Sequence, residues 1–299
     1  MADKARVPLD RDPQAWPFTL ISSVELGLPG RRERSFELVG SLPPRPRLAI
    51  VGSRAAHRRV LQTLAPIVAE AGARGWSLIS GGALGIDGGA HRAALAGGVP
   101  QLAVLPCGRD RLYPPNHARL FAELVATDNA GLLFAQPPGT QPSRAMFASR
   151  NAIVVGLADA VLVAEAGLRS GSTGTGRLAL RRKLPLAAIA GTPGCGALIG
   201  AGARPLPSPS PDAPETSASL VEALGVWLDL LDGHEVEPSA SGPAWPEHLA
   251  WLASALREAG PSGLSIDTLP DPGAASLAVC EAELLGLICE AAPGRWVGL

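Results

Sequence analysis

The chain has 299 residues, a formal net charge of -1, 46% hydrophobic residues and only 4% aromatics. That length predicts two domains with an ample core, and the scarcity of aromatics excludes a long base-stacking platform. No apolar run reaches membrane-helix length without a Gly, Pro or charge breaking it, and the four cysteines (Cys107, Cys195, Cys280, Cys289) lack CxxC spacing, which excludes a zinc site or a disulfide frame.

The small net charge hides an asymmetry. Residues 46–205 hold 17 Lys and Arg against 7 Asp and Glu; residues 206–299 hold 2 against 14. A basic core followed by an acidic tail predicts a polyanionic partner for the core and repulsion of that partner by the tail. Scattered thiols, together with an N-terminus that has no signal-peptide core, predict a cytoplasmic protein.

In chain order, residues 1–45 carry one apolar stretch, Phe18 to Leu28, and a Pro-rich approach; they are expected to form an extension packed on the core. From residue 46 strand and helix patterns alternate. Strands are predicted at 47–52, 76–80, 100–105, 131–135, 160–165 and 186–190, and helices near 57–72, 87–97, 117–126, 149–157 and 173–183. This alternation predicts an α/β fold with a Rossmann-like, doubly wound, mostly parallel sheet. The core is expected to end at Ala203. The Pro- and Ser-rich stretch from Arg204 to Ser219 predicts an extended linker. Inside the 204–246 connection, Leu220, Leu224, Trp227, Leu228 and Leu231 have helical spacing. Residues 247–299 predict a helix at 248–259, a second at 274–287 and a closing hairpin, a winged-helix-like unit. Its only cations are Arg257 and Arg295, too few for a recognition helix, so a protein-contact or regulatory role is expected.

The most informative stretch runs from Leu48 to His91. LAIVGSR and LISGGALGIDGGAH each read as a buried strand entering a Gly-rich turn. Gly81, Gly82 and Gly85 let backbone N–H groups approach a ligand, which suits phosphate. Paired turns that end in Arg54 and Asp87 form a candidate phosphate-binding ledge. Asp87 at a helix start is expected to be an N-cap. His91 and His117 lack a partner for metal or triad chemistry. Ser53, Ser80, Ser170 and Ser172 lack a GxSxG setting. Glu165 either holds a ribose hydroxyl or caps the next turn. The run Arg181, Arg182, Lys183 is expected to be a solvated helix end.

IVGSR (50–54), SGGALGIDGGAH (80–91), AVLPCGRDRLYPPNH (103–117), MFASRN (146–151), SGSTGTG (170–176) and ALIGAGA (197–203) together resemble the DNA-processing protein A (DprA/Smf) family, in its order and spacing. The resemblance implies a core that binds single-stranded DNA, forms a homodimer and helps to load the RecA recombinase during natural transformation, with neither catalysis nor cofactor. It implies a DNA pocket of Arg54, Arg144, Phe147, Arg150 and Asn151, with backbone contributions from Ser80, Gly81 and Gly82 and from Ser170, Gly171 and Ser172. The chemistry fits: Arg binds phosphate in a bidentate way, and Phe147 offers a stacking face. Ala152, Gln136, Ala197 and Gly176 depart from the family's usual Arg, Glu, Asn and Ala. The alternative reading is a nucleotide-binding or nucleotide-processing protein on a related scaffold. Against an enzyme of the phosphoribohydrolase type, SGSTGTG lacks the Glu of the PGGxGTxxE signature.

Overall fold

The computed structural model describes residues 12–28, 33–140, 143–210, 215–231 and 249–259, and parts of 263–298. One nine-stranded sheet organises the chain, in the order β1-β2-β6-β5-β4-β3-β7-β8-β9. Its parallel centre comprises β3 (Arg47–Gly52), β4 (Ser77–Ser80), β5 (Gln101–Leu105), β6 (Ala130–Phe134), β7 (Ala160–Glu165) and β8 (Leu186–Ile189). These are the six expected strands, and each bound falls within one residue of its expected position.

The parallel strands are apolar along their whole length because both faces are covered. Leu48 and Ile50 of β3 face α1 (Arg58–Ala73) and α2 (Ile86–Gly97). Ala49 and Val51, alternating with them, face α4 (Arg144–Leu157) and α5 (Gly171–Arg181). Period-two alternation therefore sorts one strand onto two helical layers. α3 (Ala118–Ala126) covers Leu105, Leu132 and Phe134 on the α1 side. Burying an apolar side chain such as Leu64 or Ile67 contributes about 1.5–3 kcal/mol.

The sheet is wider than the expected core of 46–203. β1 (Thr19–Ser22) and β2 (Ser35–Gly40) extend it, β2 pairing antiparallel with β6. Arg109 fixes this N-terminal stretch. Its Nε bonds Glu37 at 3.2 Å, Nη1 bonds the carbonyls of Pro13 and Gln14, and its guanidinium lies 4.2 Å from the Phe18 ring centroid. At the other edge, β9 (Arg204–Leu206) pairs parallel with β8 and buries Leu206. The stretch expected to be linker thus begins as a strand. It follows α6 (Pro193–Gly200), a helix without a counterpart among the expected elements.

α7 (Glu215–Leu231) carries the expected apolar stripe. Leu220, Leu224, Trp227 and Leu228 are buried, and the stripe joins the α1 layer. Arg74 clamps it: Nε to Asp229 Oδ1 at 2.7 Å and Nη2 to Oδ2 at 3.2 Å. That bidentate pair holds Arg74 above and Asp229 below their ordinary pKa values.

In the C-terminal unit, α8 (Ala250–Ala259) accompanies a three-stranded sheet, β10-β12-β11, with β10 (Leu264–Ser265), β11 (Ile288–Ala292) and β12 (Arg295–Gly298). Most of the expected second helix, 274–287, lies outside the described residues; the described Ala275, Ala278, Val279 and Ala282 are helical and buried. No helix among the described residues is long and apolar enough to cross a membrane.

Candidate nucleic-acid interface

From β3 the chain winds one way through β4, β5 and β6, then returns to place β7 against β3's other side. This is a topological switch point, and open α/β sheets bind ligands in the crevice beyond the carboxyl ends of the strands there. Three loops meet at it: 53–57 after β3, 81–85 after β4 and 166–170 after β7. Ser53 N–H donates to the Glu165 carbonyl at 2.8 Å, and Ile86 N–H donates to the Ser53 carbonyl at 3.1 Å. Gly85 has φ +77°, and a Cβ there would strike the Ser53 carbonyl, so only glycine lets α2 start this close to the β3 loop.

The inner layer of the site is buried. Ser80 Oγ donates to the Ile50 carbonyl at 2.6 Å, which ties β4 to β3. Asp87 is not an N-cap: it is the second residue of α2, whose N-cap is Gly85. Its carboxylate accepts from the N–H groups of Gly52, Gly81 and Ala83, so it binds the Gly turn from beneath. Burial pushes the Asp87 pKa up, against the Arg150 charge and those three N–H donors.

Arg150 is only 4% exposed. Its Nη1 donates to the Gly81 carbonyl and, at 3.0 Å, to that of Val104; its Nε donates to Asn151 Oδ1 at 2.9 Å. Burial lowers its pKa, opposed by Asp87. A Cβ on Gly81 would strike both Arg150 and Asp87. His117 Nδ1, at 2.9 Å, supports the Gly82 carbonyl. Of the expected contact residues, Ser80, Gly81, Gly82 and Arg150 are therefore internal, and their polar groups hold the turn in shape.

The outer layer is accessible. Arg54 is exposed, and its guanidinium lies over the Phe147 ring, 4.8 Å from the centroid. Tyr113 meets the same ring edge-on, with centroids 5.4 Å apart and planes at 72°. The chain's single tyrosine therefore joins the site from the loop after β5. The sequence reading missed it, although Tyr113 stands inside the LYPPNH motif. Asn151 lies on α4 beside the start of α5: a Cβ on Gly171 would come 3.6 Å from its Nδ2. Ser170 caps α5, its Oγ accepting from Thr173 N–H at 3.2 Å. The N–H groups of Gly171 and Ser172 meet no acceptor among the described residues, and such helix-start donors suit an anion. Arg144 opens α4.

Glu165 is buried at the end of β7. Its Oε2 accepts from His57 N–H and lies 3.0 Å from His57 Nδ1. Of its two readings, capping is the contact present: it satisfies the start of α1. The basic run at the end of α5 divides, with Arg181 and Lys183 exposed while Arg182 is partly buried and its pKa is pushed down to about 10, by burial first and then by Arg181. Among the described residues no three His, Cys, Asp or Glu side chains gather to hold a metal.

The charge of the edge is predominantly positive. Arg54, Arg58, Arg59, Arg111 and Arg169 are exposed, and none has a carboxylate within salt-bridge distance among the described residues. Asp87 and Glu165, beneath the loops, are buried and hydrogen-bonded, and the exposed Asp110, beside Arg111, accepts from Gly139 N–H at 2.9 Å.

Comparison with known proteins agrees with this geometry. The sequence profile of the family described as DNA recombination-mediator protein A matches residues 39–211. A curated relative from Mycobacterium tuberculosis, a putative DNA processing protein DprA, is 34% identical over 236 residues, 77% of this chain and 54% of its own length. The chain thus spans about half the length of that relative. The X-ray structure of DprA from Streptococcus pneumoniae superposes with a TM-score of 0.53 at 31% identity, over 62% of this chain and 65% of that one. A Helicobacter pylori DprA structure, described for its single-stranded DNA binding mode, shares the fold with a TM-score of 0.61 at 23% identity, over 74% of this chain and 99% of that one. The switch-point site and the matched stretch coincide, and the chain belongs to the DNA recombination-mediator protein A family, the DprA/Smf proteins.

Proposed function

We propose that this protein binds single-stranded DNA at the switch-point edge and hands it to the RecA recombinase, acting as a homodimer in DNA processing and natural transformation. The observation that carries the reading is the Arg54–Phe147–Tyr113 cluster set beside the start of α5. It offers a cation for phosphate, an aromatic face for a base and N–H donors for a second phosphate. Electrostatics favour a polymer, because five exposed arginines at one edge exceed what a single nucleotide requires. The reading is of a binding protein: the two carboxylates nearest the ledge are occupied by backbone amides and by His57, which leaves neither as a general base. The inner layer then has a positioning role. Asp87, Arg150 and His117 hold the turn, while Arg54, Phe147, Asn151 and the Ser170–Ser172 cap make contact.

The test is fluorescence anisotropy with a labelled oligothymidylate over a salt series, alongside a mononucleotide competitor. A polymer binder gives a log K against log[salt] slope of roughly -0.7 per phosphate contacted. Tight binding of a mononucleotide with little salt dependence would refute the reading.

A further inference from the structure

We propose that the first turn of α1, together with Arg169 of the loop after β7, is a second phosphodiester-contact surface, onto which a single strand runs after leaving Phe147. The inference rests on the single-stranded DNA reading above and extends it to the other face of the sheet.

His57, Arg58 and Arg59 are all exposed. Arg58 and Arg59 have no carboxylate partner among the described residues, and α1 has no acidic residue in its first turn. This is the wrong end of a helix for cations. The macrodipole and the unpaired N–H groups favour negative charge there, so two arginines oppose the helix they begin. Packing does not explain them either, since the buried stripe of α1 starts at Val60. A site that costs the fold something and leaves its charges uncompensated is built for an external anion.

Its location selects which anion. His57 N–H bonds Glu165 Oε2 at 3.0 Å and Ser53 N–H bonds the Glu165 carbonyl at 2.8 Å, so the start of α1 is fixed to the end of β7. The loop leaving β7 carries exposed Arg169 and then the α5 cap. Arg54 precedes Arg58 by four residues, so their Cα atoms lie within ~14 Å. Phe147 is on α4, which covers one face of the sheet; α1 covers the other. Cations therefore continue from the aromatic cluster, over the β3–β7 edge, to the opposite layer. A polyanion with repeated charges fits such a track, whereas one bound nucleotide cannot reach both ends. His57 is held by Glu165 through its N–H and Nδ1, so contact there runs through the two guanidinium groups to phosphates and is indifferent to sequence.

The experiment uses the full chain and the double variant Arg58→Gln/Arg59→Gln, with oligothymidylates of about 6 and about 20 nucleotides, lengths that bracket a single-strand site. The expected result is unchanged affinity for the short oligomer. For the long one, the salt slope should fall by about 1.4, two phosphates' worth, with several-fold weaker binding at low salt. The melting temperature should hold or rise, because two cations leave a helix start. An unchanged slope with the long oligomer overturns the inference. So does an equal loss on both lengths, which would mean a general field, or a fall in melting temperature, which would mean a structural role. The failures are separable: if Arg54→Ala weakens both oligomers while the double variant weakens neither, the pocket stands and the track does not.

Discussion

The Arg150 side chain is hydrogen-bonded through Nη1 to the carbonyl oxygen of Gly81, joining α4 to the turn after β4. The same turn is held from below by the Asp87 carboxylate. Two buried polar side chains thus grip one glycine. Removing Arg150 strips the Gly81 and Val104 carbonyls of its hydrogen bonds and Asp87 of the cation that offsets its burial, and each buried group left unsatisfied costs about 1–3 kcal/mol. Arg150→Ala is expected to lower the denaturant midpoint by that order, where a direct phosphate ligand would lower DNA affinity alone. Urea unfolding of the variant checks it; an unchanged midpoint with weakened DNA binding would return Arg150 to the contact surface.

Arg54→Ala should behave in the opposite way. The side chain is exposed, so stability should stay within experimental scatter while the salt slope of single-strand binding drops by about 0.7. Phe147→Ala should lose about 1–3 kcal/mol of binding with the slope unchanged, because stacking is not ionic. The guanidinium lies on the ring, so the two effects should not add. A double-mutant cycle should show coupling of about 0.5–1 kcal/mol. Strict additivity would mean that the stacked pair does not meet DNA as a unit.

The contrast between Arg54 and Arg150 shows where sequence reading stops. IVGSR and MFASRN announce two arginines near a Gly turn, yet nothing in either motif says which side chain points outward. Orientation depends on α4 starting at Arg144, five residues before the expected start at 149. Ser80 and Asp87 raise the same difficulty: both have polar side chains at a ligand edge, and both are occupied internally by backbone groups, Ser80 by the Ile50 carbonyl and Asp87 by the N–H groups of Gly52, Gly81 and Ala83. The parallel strands were legible because burial on both faces leaves an unbroken apolar run. β1 and β2 were not, being short antiparallel strands that are partly exposed and lack an unbroken buried run. β9 contains Pro205, tolerable on an edge strand but easily taken for linker. α6, PGCGALIG, holds three glycines in eight residues, which hides a helix from propensity.

Histidine burial sets an acid limit on the fold. His91 is fully buried, with Nδ1 2.8 Å from Gln101 Oε1. Burial lowers its pKa from 6.5 to about 4, against the Gln101 bond and assisted by His117, Arg150 and Arg92. A depressed histidine binds fewer protons folded than unfolded between those values. Stability should therefore be intact above about pH 6.5 and decline toward pH 4, by about 3 kcal/mol in total. Asp87, raised by burial, works in the opposing direction as pH rises above 3.8. His91→Gln isolates the histidine: its stability should change less between pH 7 and 4 than that of the parent chain. Parallel pH profiles would rule His91 out as the cause.

The acidic tail should restrain the basic edge. α7 is fixed to α1 through Arg74 and Asp229, so the chain after Leu231 starts on the helix whose other end carries Arg58 and Arg59. The connection to α8 includes Asp232, Glu235, Glu237 and Glu247. α1 spans 16 residues, about 24 Å, a distance that the connecting residues can cover, so tethering raises the effective concentration of those charges at the edge, where they compete with phosphate. Cutting the chain at Ala203 would be a poor test, because it removes Leu206, Leu224, Trp227 and Leu228 from the core. Replacing the four acids by Asn or Gln preserves it. At low salt the substituted chain should bind oligothymidylate more tightly than the parent. The difference should vanish as salt rises, since the Debye length is about 10 Å at 0.1 M and shorter above. Light scattering must show the same oligomeric state for both chains, so that avidity does not stand in for relief of competition. Equal affinity at low salt would reject the restraint. Weaker binding by the substituted chain would mean that the acids help to build the DNA-binding surface.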